Sequence, residues 1–388
     1  MNASTPQPSS STSGGVLSVV LAGGGTAGHV SPMLALADAL RRQDPRTGIV
    51  CLGTAEGLES RLVPERGYEL RAVPKVPLPR RPTPALLSVP SRLLDAVRTA
   101  DRVLGQTHAD VVVGMGGYVS TPAYLAARRR GIPIVVHEQN ARPGIANRLG
   151  ARLTRHVAVT FPGTPLPHAV RVGMPLRREI STLDASALRS SAREHFGLDP
   201  DAPVLLVTGG SLGAQKINET MAAAADRLQA SGIGVLHLTG AGKAIQAPTG
   251  PGPAYVVAEY TDRMDLAYAA ADLVLCRAGA NTVCEVTTVG LPGVYVPLPI
   301  GNGEQRLNAE PVVADGGGLL IDNADLDPAV VTGQIADLLT SPSRLASMAQ
   351  ASARHGSRDA DIRLADLVRT AAGHLPAGEP GGPGPVTP

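Results

Sequence analysis

The sequence predicts an α/β protein of two Rossmann-like domains, each with a parallel sheet, facing across a cleft. Three observations predict it. Short apolar runs alternate with helical segments along most of the 388 residues, as in parallel sheets covered by helices. The strand, glycine turn and helix at 17–42 recur at 203–230. Between the two copies Gly173-Met174-Pro175 breaks the chain, which predicts a domain boundary near 174–183.

Composition bounds the function. A hydrophobic fraction of 43% and a charged fraction of 18% are those of a folded globular protein. A formal net charge of +2 and 2% aromatic residues give neither the pull nor the stacking platform that nucleic acid needs. Cys51, Cys276 and Cys284 lie in apolar patterns without metal-type spacing, which predicts reduced thiols and a cytoplasmic setting. No apolar run approaches the roughly 18 residues of a membrane span. Residues 1–14 and 374–388 are rich in small residues and proline and read as disordered tails.

In the first half, Leu17–Leu21 reads as a strand and Gly23, Gly24 and Gly25 break it. Val30, Met33, Leu34, Ala37 and Leu40 then recur at helical spacing, with Pro32 in the first turn where it is tolerated. Such a helix start favours phosphate, and His29 puts a titratable group beside it. Strands are predicted at Gly48–Leu52, Glu69–Val73, Asp110–Met115, Ile132–Val136, His156–Thr160 and Ala169–Val172. Helices are predicted at Gly57–Arg66, Ser91–Gly105, Ala123–Arg129 and Pro143–Thr154, with a second glycine turn at Gly116-Gly117. The strand at 132–136 runs into His137-Glu138-Gln139-Asn140, where ligands sit in open α/β sheets. Residues 74–90 break the rhythm with prolines, Lys75, Arg80 and Arg81, and apolar Leu78, Leu86, Leu87 and Val89. They read as a surface connection or as a patch for an anionic membrane surface.

In the second half, strands are predicted at Gly234–Leu238, Ala254–Ala258, Leu273–Cys276, Gly293–Pro297 and Gly317–Ile321. Helices alternate with them at 215–230, 262–271, 281–289, 304–315 and 327–340. Pro342–His355, with Ser341 as N-cap, and Arg358–Ala372 close the chain, the last helix crossing back to the first domain. The domains are then 15–176 and 177–356, with the helix at 357–373. The pattern Gly23-x-Gly25-x-x-Gly28 also fits the dinucleotide fingerprint, but Glu56 and Glu59, the nearest acids, lie past the second strand. Asp-x-Asp triplets at Asp199, Asp325 and Asp359 close no apolar strand and read as turn or helix-start acids.

Six ordered motifs carry a resemblance: GGGTAGH at 23–29, GMGGYVSTP at 114–122, HEQNARPGIAN at 137–147, GMPLR at 173–177, GGSLGAQKIN at 209–218 and the 276–309 region. Together, over residues 17 to 372, the chain resembles the MurG family. The resemblance implies the GT-B architecture and inverting transfer of GlcNAc from UDP-GlcNAc to the muramyl C4 hydroxyl of undecaprenyl-pyrophosphoryl-MurNAc-pentapeptide (lipid I). The product is lipid II for peptidoglycan. It implies a peripheral protein on the cytoplasmic face of the cell membrane, and no cofactor or metal.

Such a reaction needs a base, support for the departing diphosphate, and a pocket for uridine and sugar. His29 is the first candidate for base, because a helix start disfavours imidazolium. Glu138 is the rival, either as base or as an acceptor that holds the loops. Thr26, Ala27 and Gly28 offer backbone N–H groups to a pyrophosphate, and the family likeness adds Ser211 on the donor diphosphate. It likewise implies Arg177 against the leaving diphosphate, Glu285 on the ribose diol, Thr261 at uracil, and Gln305 and Asn140 near the sugar hydroxyls. Ala280, Asn281 and Thr282 belong to the same donor region. The chain departs from the family at Ala27, a glycine elsewhere, at Asn281, usually apolar, and at Glu304, usually glutamine. The competing readings are a UDP-GlcNAc 2-epimerase of the same architecture, a non-catalytic nucleotide-sugar-binding subunit, and, more distantly, a dinucleotide oxidoreductase.

Overall fold

The computed structural model describes residues 15–76, 88–210, 213–243, 245–300 and 302–374. Two parallel sheets organise it, as the alternation predicts. The first half contains β1 (Ser18–Ala22), α1 (Ala27–Gln43), β2 (Gly48–Gly53), α2 (Glu59–Glu65), β3 (Glu69–Ala72) and α3 (Val89–Gln106). It continues through β4 (Val111–Gly114), α4 (Ser120–Arg130), β5 (Ile134–Glu138), α5 (Ile145–Gly150), β6 (His156–Val159) and β7 (Ala169–Arg171). The strand order is β3-β2-β1-β4-β5-β6-β7, and every pair is parallel. Side chains alternate across this sheet. Val19 and Leu21 enter one core and Val20 and Ala22 the other, so both faces are covered.

The second half opens with α6 (Arg178–Ser181), α7 (Ala185–Phe196), β8 (Val204–Thr208), α8 (Gln215–Ala230), β9 (Gly234–Leu238) and β10 (Tyr255–Ala258). Then come α9 (Met264–Ala270), β11 (Leu273–Cys276), α10 (Ala280–Val289), β12 (Gly293–Tyr295), α11 (Glu304–Ala314) and β13 (Gly318–Leu320). Its order, β10-β9-β8-β11-β12-β13, repeats the first, again all parallel. In both sheets the order reverses beside the opening strand. The glycine turns after β1 and β4, and the segments after β8 and β11, therefore lie at the two switch points where ligands bind.

The chain ends in α12 (Pro328–Val330), a π-helical turn at Val331–Ile335, α13 (Ala336–Leu339), α14 (Pro342–Ala353) and α15 (Ala360–Ala371). The single helix expected at 327–340 is thus interrupted, with Gly333, a weak helix former, inside the widened turn. Leu364, Ala365 and Val368 of α15 are buried in the core of the first sheet, against α1. Arg42 pairs with Asp361, and Gln43 binds both Asp366 and Arg369.

Several boundaries differ from expectation for local reasons. The helix expected at 143–154 shrinks to α5: the Gly144 N–H is drawn to Glu138 at 3.0 Å, which delays the start, and past Gly150 the bonding tightens, with Arg152 N–H donating to Leu149 and Leu153 N–H to Gly150. Ser341 holds the N-cap position of α14, but its side chain makes no capping bond. Asp199 instead closes a turn by accepting from the N–H groups of 201 and 202, and Asp327 caps α12 through Val330 N–H at 2.8 Å. Residues 1–14 and 375–388 of the expected tails, Leu78, Arg80, Arg81, Leu86 and Leu87 of the basic apolar segment, and Ser211 lie outside the described residues.

Candidate active site

His29 is fixed from three sides. Thr26, the extended residue before α1, makes no capping bond; its hydroxyl instead pairs with His29 Nδ1 at 3.1 Å. The carbonyl of Thr26 accepts from the N–H groups of His29 and Val30, each at 3.1 Å. The N–H groups of Ala27 and Gly28 then have no partner within the helix. Beneath the ring lies the second glycine turn. A Cβ on Gly116 would stand 3.1 Å from His29 Nε2 and 3.2 Å from Asn147 Nδ2, and Gly116 has φ +92°. A Cβ on Gly117 would meet the Gly24 carbonyl at 2.7 Å, so the two turns touch. Ser120 Oγ locks this contact by donating to the carbonyl of Ala22 at 2.9 Å. Burial lowers the pKa of His29, against the opposing influences of the Gly24 backbone and the Glu59 carboxylate. Desolvation thus favours the neutral imidazole, in the same direction as the helix dipole invoked from sequence.

The polar run ending β5 is buried and almost fully bonded. Glu138 accepts from the N–H of Asn140 at 2.9 Å, the N–H of Gly144 at 3.0 Å and Asn147 Nδ2 at 3.0 Å. Burial raises its pKa despite those bonds. His137 Nε2 lies 2.9 Å from the Gly173 carbonyl and its Nδ1 3.0 Å from Gln139 Nε2. Nε2–H therefore donates and Nδ1 accepts, and burial depresses its pKa to about 4.

Across the cleft, α10 begins at Ala280 after the extended residue Gly279. The N–H groups of Ala280, Asn281 and Thr282 lie in its unsatisfied first turn. Asn281 Nδ2 donates to the carbonyl of Ala27 at 3.2 Å, so two positions that depart from the family pattern touch each other. This contact brings the N-terminal starts of α1 and α10 to one gap. Each start carries about half a positive charge, and such an arrangement favours an anion between them. Asn281 Oδ1 is buried without a partner.

A second bridge passes through Asn308. Its Oδ1 accepts from the N–H of Ala141 at 2.9 Å, and its Nδ2 donates to Asn140 Oδ1 at 3.2 Å and to the carbonyl of Ala278 at 3.3 Å. Arg142 adds a bond to the Asn302 carbonyl.

The remaining predicted residues surround α10 or stand apart. Glu285 accepts from Tyr268 Oη at 2.8 Å, with Arg177 Nη2 4.0 Å away. Burial raises its pKa, and Arg177 and Tyr268 oppose the rise. Thr261 Oγ1 accepts from the N–H of Arg263 at 3.0 Å. Gln305 Oε1 accepts from the N–H of Leu298 at 2.9 Å. Glu304 is used locally, taking the N–H of Asn302 at 3.2 Å.

Sequence reasoning did not single out Asn147, Asn308 or Arg277. Arg277 follows β11 and donates to the carbonyls of Val296 and Pro297 at 3.1 and 3.3 Å, leaving a buried Nε without a partner. Its place, one residue beyond a strand end at a switch point, is the signal that could have found it. Among the described residues no group of three or more His, Cys, Asp or Glu could hold a metal ion.

Comparison with known proteins agrees with this geometry. The N-terminal domain of glycosyltransferase family 28 matches residues 19–159, and the C-terminal domain of that family matches residues 204–364. The UDP-N-acetylglucosamine–N-acetylmuramyl-(pentapeptide) pyrophosphoryl-undecaprenol N-acetylglucosamine transferase of Streptomyces avermitilis is 58% identical, over 90% of this chain and 97% of its own. That of Acidothermus cellulolyticus is also 58% identical, over 91% and 98%. The crystal structure of Acinetobacter baumannii MurG superposes with a TM-score of 0.74 at 31% identity, covering 91% of this chain and 99% of that one. A UDP-GlcNAc 2-epimerase from Neisseria meningitidis, at 14% identity and a TM-score of 0.63, shares the fold. With both domains matched and these relatives spanned almost end to end, the chain belongs to glycosyltransferase family 28, in its MurG branch.

Proposed function

We propose that this protein transfers GlcNAc from UDP-GlcNAc to the muramyl C4 hydroxyl of lipid I, with inversion at the sugar C1, to give lipid II. The observation that carries the reading is the meeting of two helix starts, α1 and α10, beside a neutral His29. In this reading His29 takes the hydroxyl proton through Nε2. That requires Nδ1–H to donate to Thr26 Oγ1, which fixes the tautomer. The oxygen attacks C1, the bond from C1 to the diphosphate oxygen breaks, and UDP leaves with the electron pair. Ala27 and Gly28 offer N–H groups on the acceptor side. Ala280, Asn281 and Thr282 offer theirs to the donor diphosphate, with Arg177 nearby and Ser211 as a further contact. Glu285 serves the ribose, Thr261 the uracil, and Gln305 and Asn140 the sugar.

For Glu138 we take the loop-holding role rather than that of base, because three donors already occupy its oxygens. We assign the acceptor side to residues 15–176 and the donor side to 177–356, with 357–373 packed back on the former. Attachment to the cytoplasmic face of an anionic membrane is part of the same reading, since the acceptor is a lipid. Among the described residues no helix is long and apolar enough to cross a membrane.

The test is an assay of the purified protein with UDP-GlcNAc, with and without a lipid I analogue. UDP release that depends on acceptor is expected, with a disaccharide-linked lipid as product. Release without acceptor, or a ManNAc product as an epimerase would give, overturns the proposal.

A further inference from the structure

The first glycine turn is built around one buried side chain that the reaction scheme does not use. Glu59, in the first turn of α2, is fully buried. Its Oε2 accepts from the N–H of Gly25 at 2.9 Å, and its Oε1 from Thr54 N–H at 2.8 Å and Thr54 Oγ1 at 2.7 Å. A Cβ on Gly24, Gly53 or Gly57 would overlap the Glu59 side chain, so three glycines make room for it.

Burial alone would raise its pKa. The bonds from Gly25 and Thr54 outweigh that, so the group is held ionised. A carboxylate under a phosphate-type turn has the wrong sign to help hold an anion, and burying it is costly without partners. Its sign suits a cation formed on the turn instead.

We propose that Glu59 is a positioning residue for His29, rather than only a structural acid. It draws the Gly25 N–H down, sets the curve that presents Thr26 and His29 to the cleft, and offsets the imidazolium formed when His29 accepts the hydroxyl proton. The proposal rests on His29 being the base. Glu59 acts through the Gly25 peptide and through its charge. Glu138 reaches the neighbourhood of His29 through Asn147, which bonds its carboxylate and lies beside Gly116; from α10, Asn281 faces the turn and is uncharged.

The experiment compares wild type, Glu59→Gln, Thr54→Val and His29→Ala for kcat, KM for UDP-GlcNAc and the pH dependence of kcat. In Glu59→Gln, kcat should fall about ten- to a hundredfold through misplacement of the base. KM for UDP-GlcNAc should not change. The acid limb of the kcat profile should move to lower pH, because the lost charge had favoured the imidazolium. A purely structural role would lower thermal stability and leave the profile of the folded enzyme in place.

Wild-type kcat and profile in folded Glu59→Gln, with His29→Ala inactive, overturn the Glu59 proposal alone. Full turnover in His29→Ala overturns the base reading itself. If Glu59→Gln does not fold, Thr54→Val decides, since it removes one of three bonds and keeps the charge. A lower kcat at unchanged KM supports the proposal, and wild-type kcat overturns it.

Discussion

Two buried histidines outside the proposed reaction scheme make the protein sensitive to acid. His137 donates to Gly173, and His237 lies between Tyr255 Oη at 2.9 Å and Asn218 Oδ1 at 3.1 Å. Burial depresses both to about 4 from an ordinary 6.5. The unfolded chain therefore takes up protons first as pH falls. Stability from these groups is full above about pH 6.5 and is lost toward pH 4. Each should cost about 2 kcal/mol between pH 7 and pH 5. Urea denaturation at the two pH values measures the loss, and His137→Gln should reduce it. At this scale the sequence was partly legible. His29 announced itself by following a glycine turn at a helix start. Glu59, thirty residues on, read only as an acid too late for a dinucleotide, because its bond to Gly25 exists only once β1 and β2 pair.

Among elements, the turn after β8 carries a steric constraint of its own. Gly213, at φ +65°, leaves no room for a Cβ against the Thr239 carbonyl, and its N–H closes the turn on Gly210 at 2.8 Å. Gly213→Ala must push the turn away from β9. It should raise KM for UDP-GlcNAc about tenfold while leaving the pH profile of kcat in place. Titration of UDP binding by calorimetry checks the same loss without acceptor. Strands and long helices were legible because their apolar periods are strong, as in α8 and β11. The short elements were not. The start of α5 is set by the pull of Glu138 on Gly144, and the break in the helix after α12 has no counterpart in the apolar spacing.

For the whole molecule, the two halves are tied by contacts that no local pattern reveals. Asn281 reaches Ala27 across 254 positions of sequence, and Asn308 reaches Ala141 across 167. The last helix is expected from the sequence to cross back to the first domain, but the residues that hold α15 there were not legible. Its anchor is Leu364, fully buried among residues of the first half. Leu364→Ala should destabilise the protein by about 2–4 kcal/mol, measured by chemical denaturation. Because α15 returns, the polypeptide passes between the halves twice, once near Gly173 and once near Ser357. A Cβ on Gly173 would stand 2.7 Å from Ser357 Oγ, so the two passages lie side by side. A single tether lets two bodies swivel; a paired one resists torsion and leaves bending as the soft motion. The halves should therefore open like a book on its spine. Distances between fluorophores placed on α8 and α3 should then vary along one coordinate, in step with those between α10 and α1.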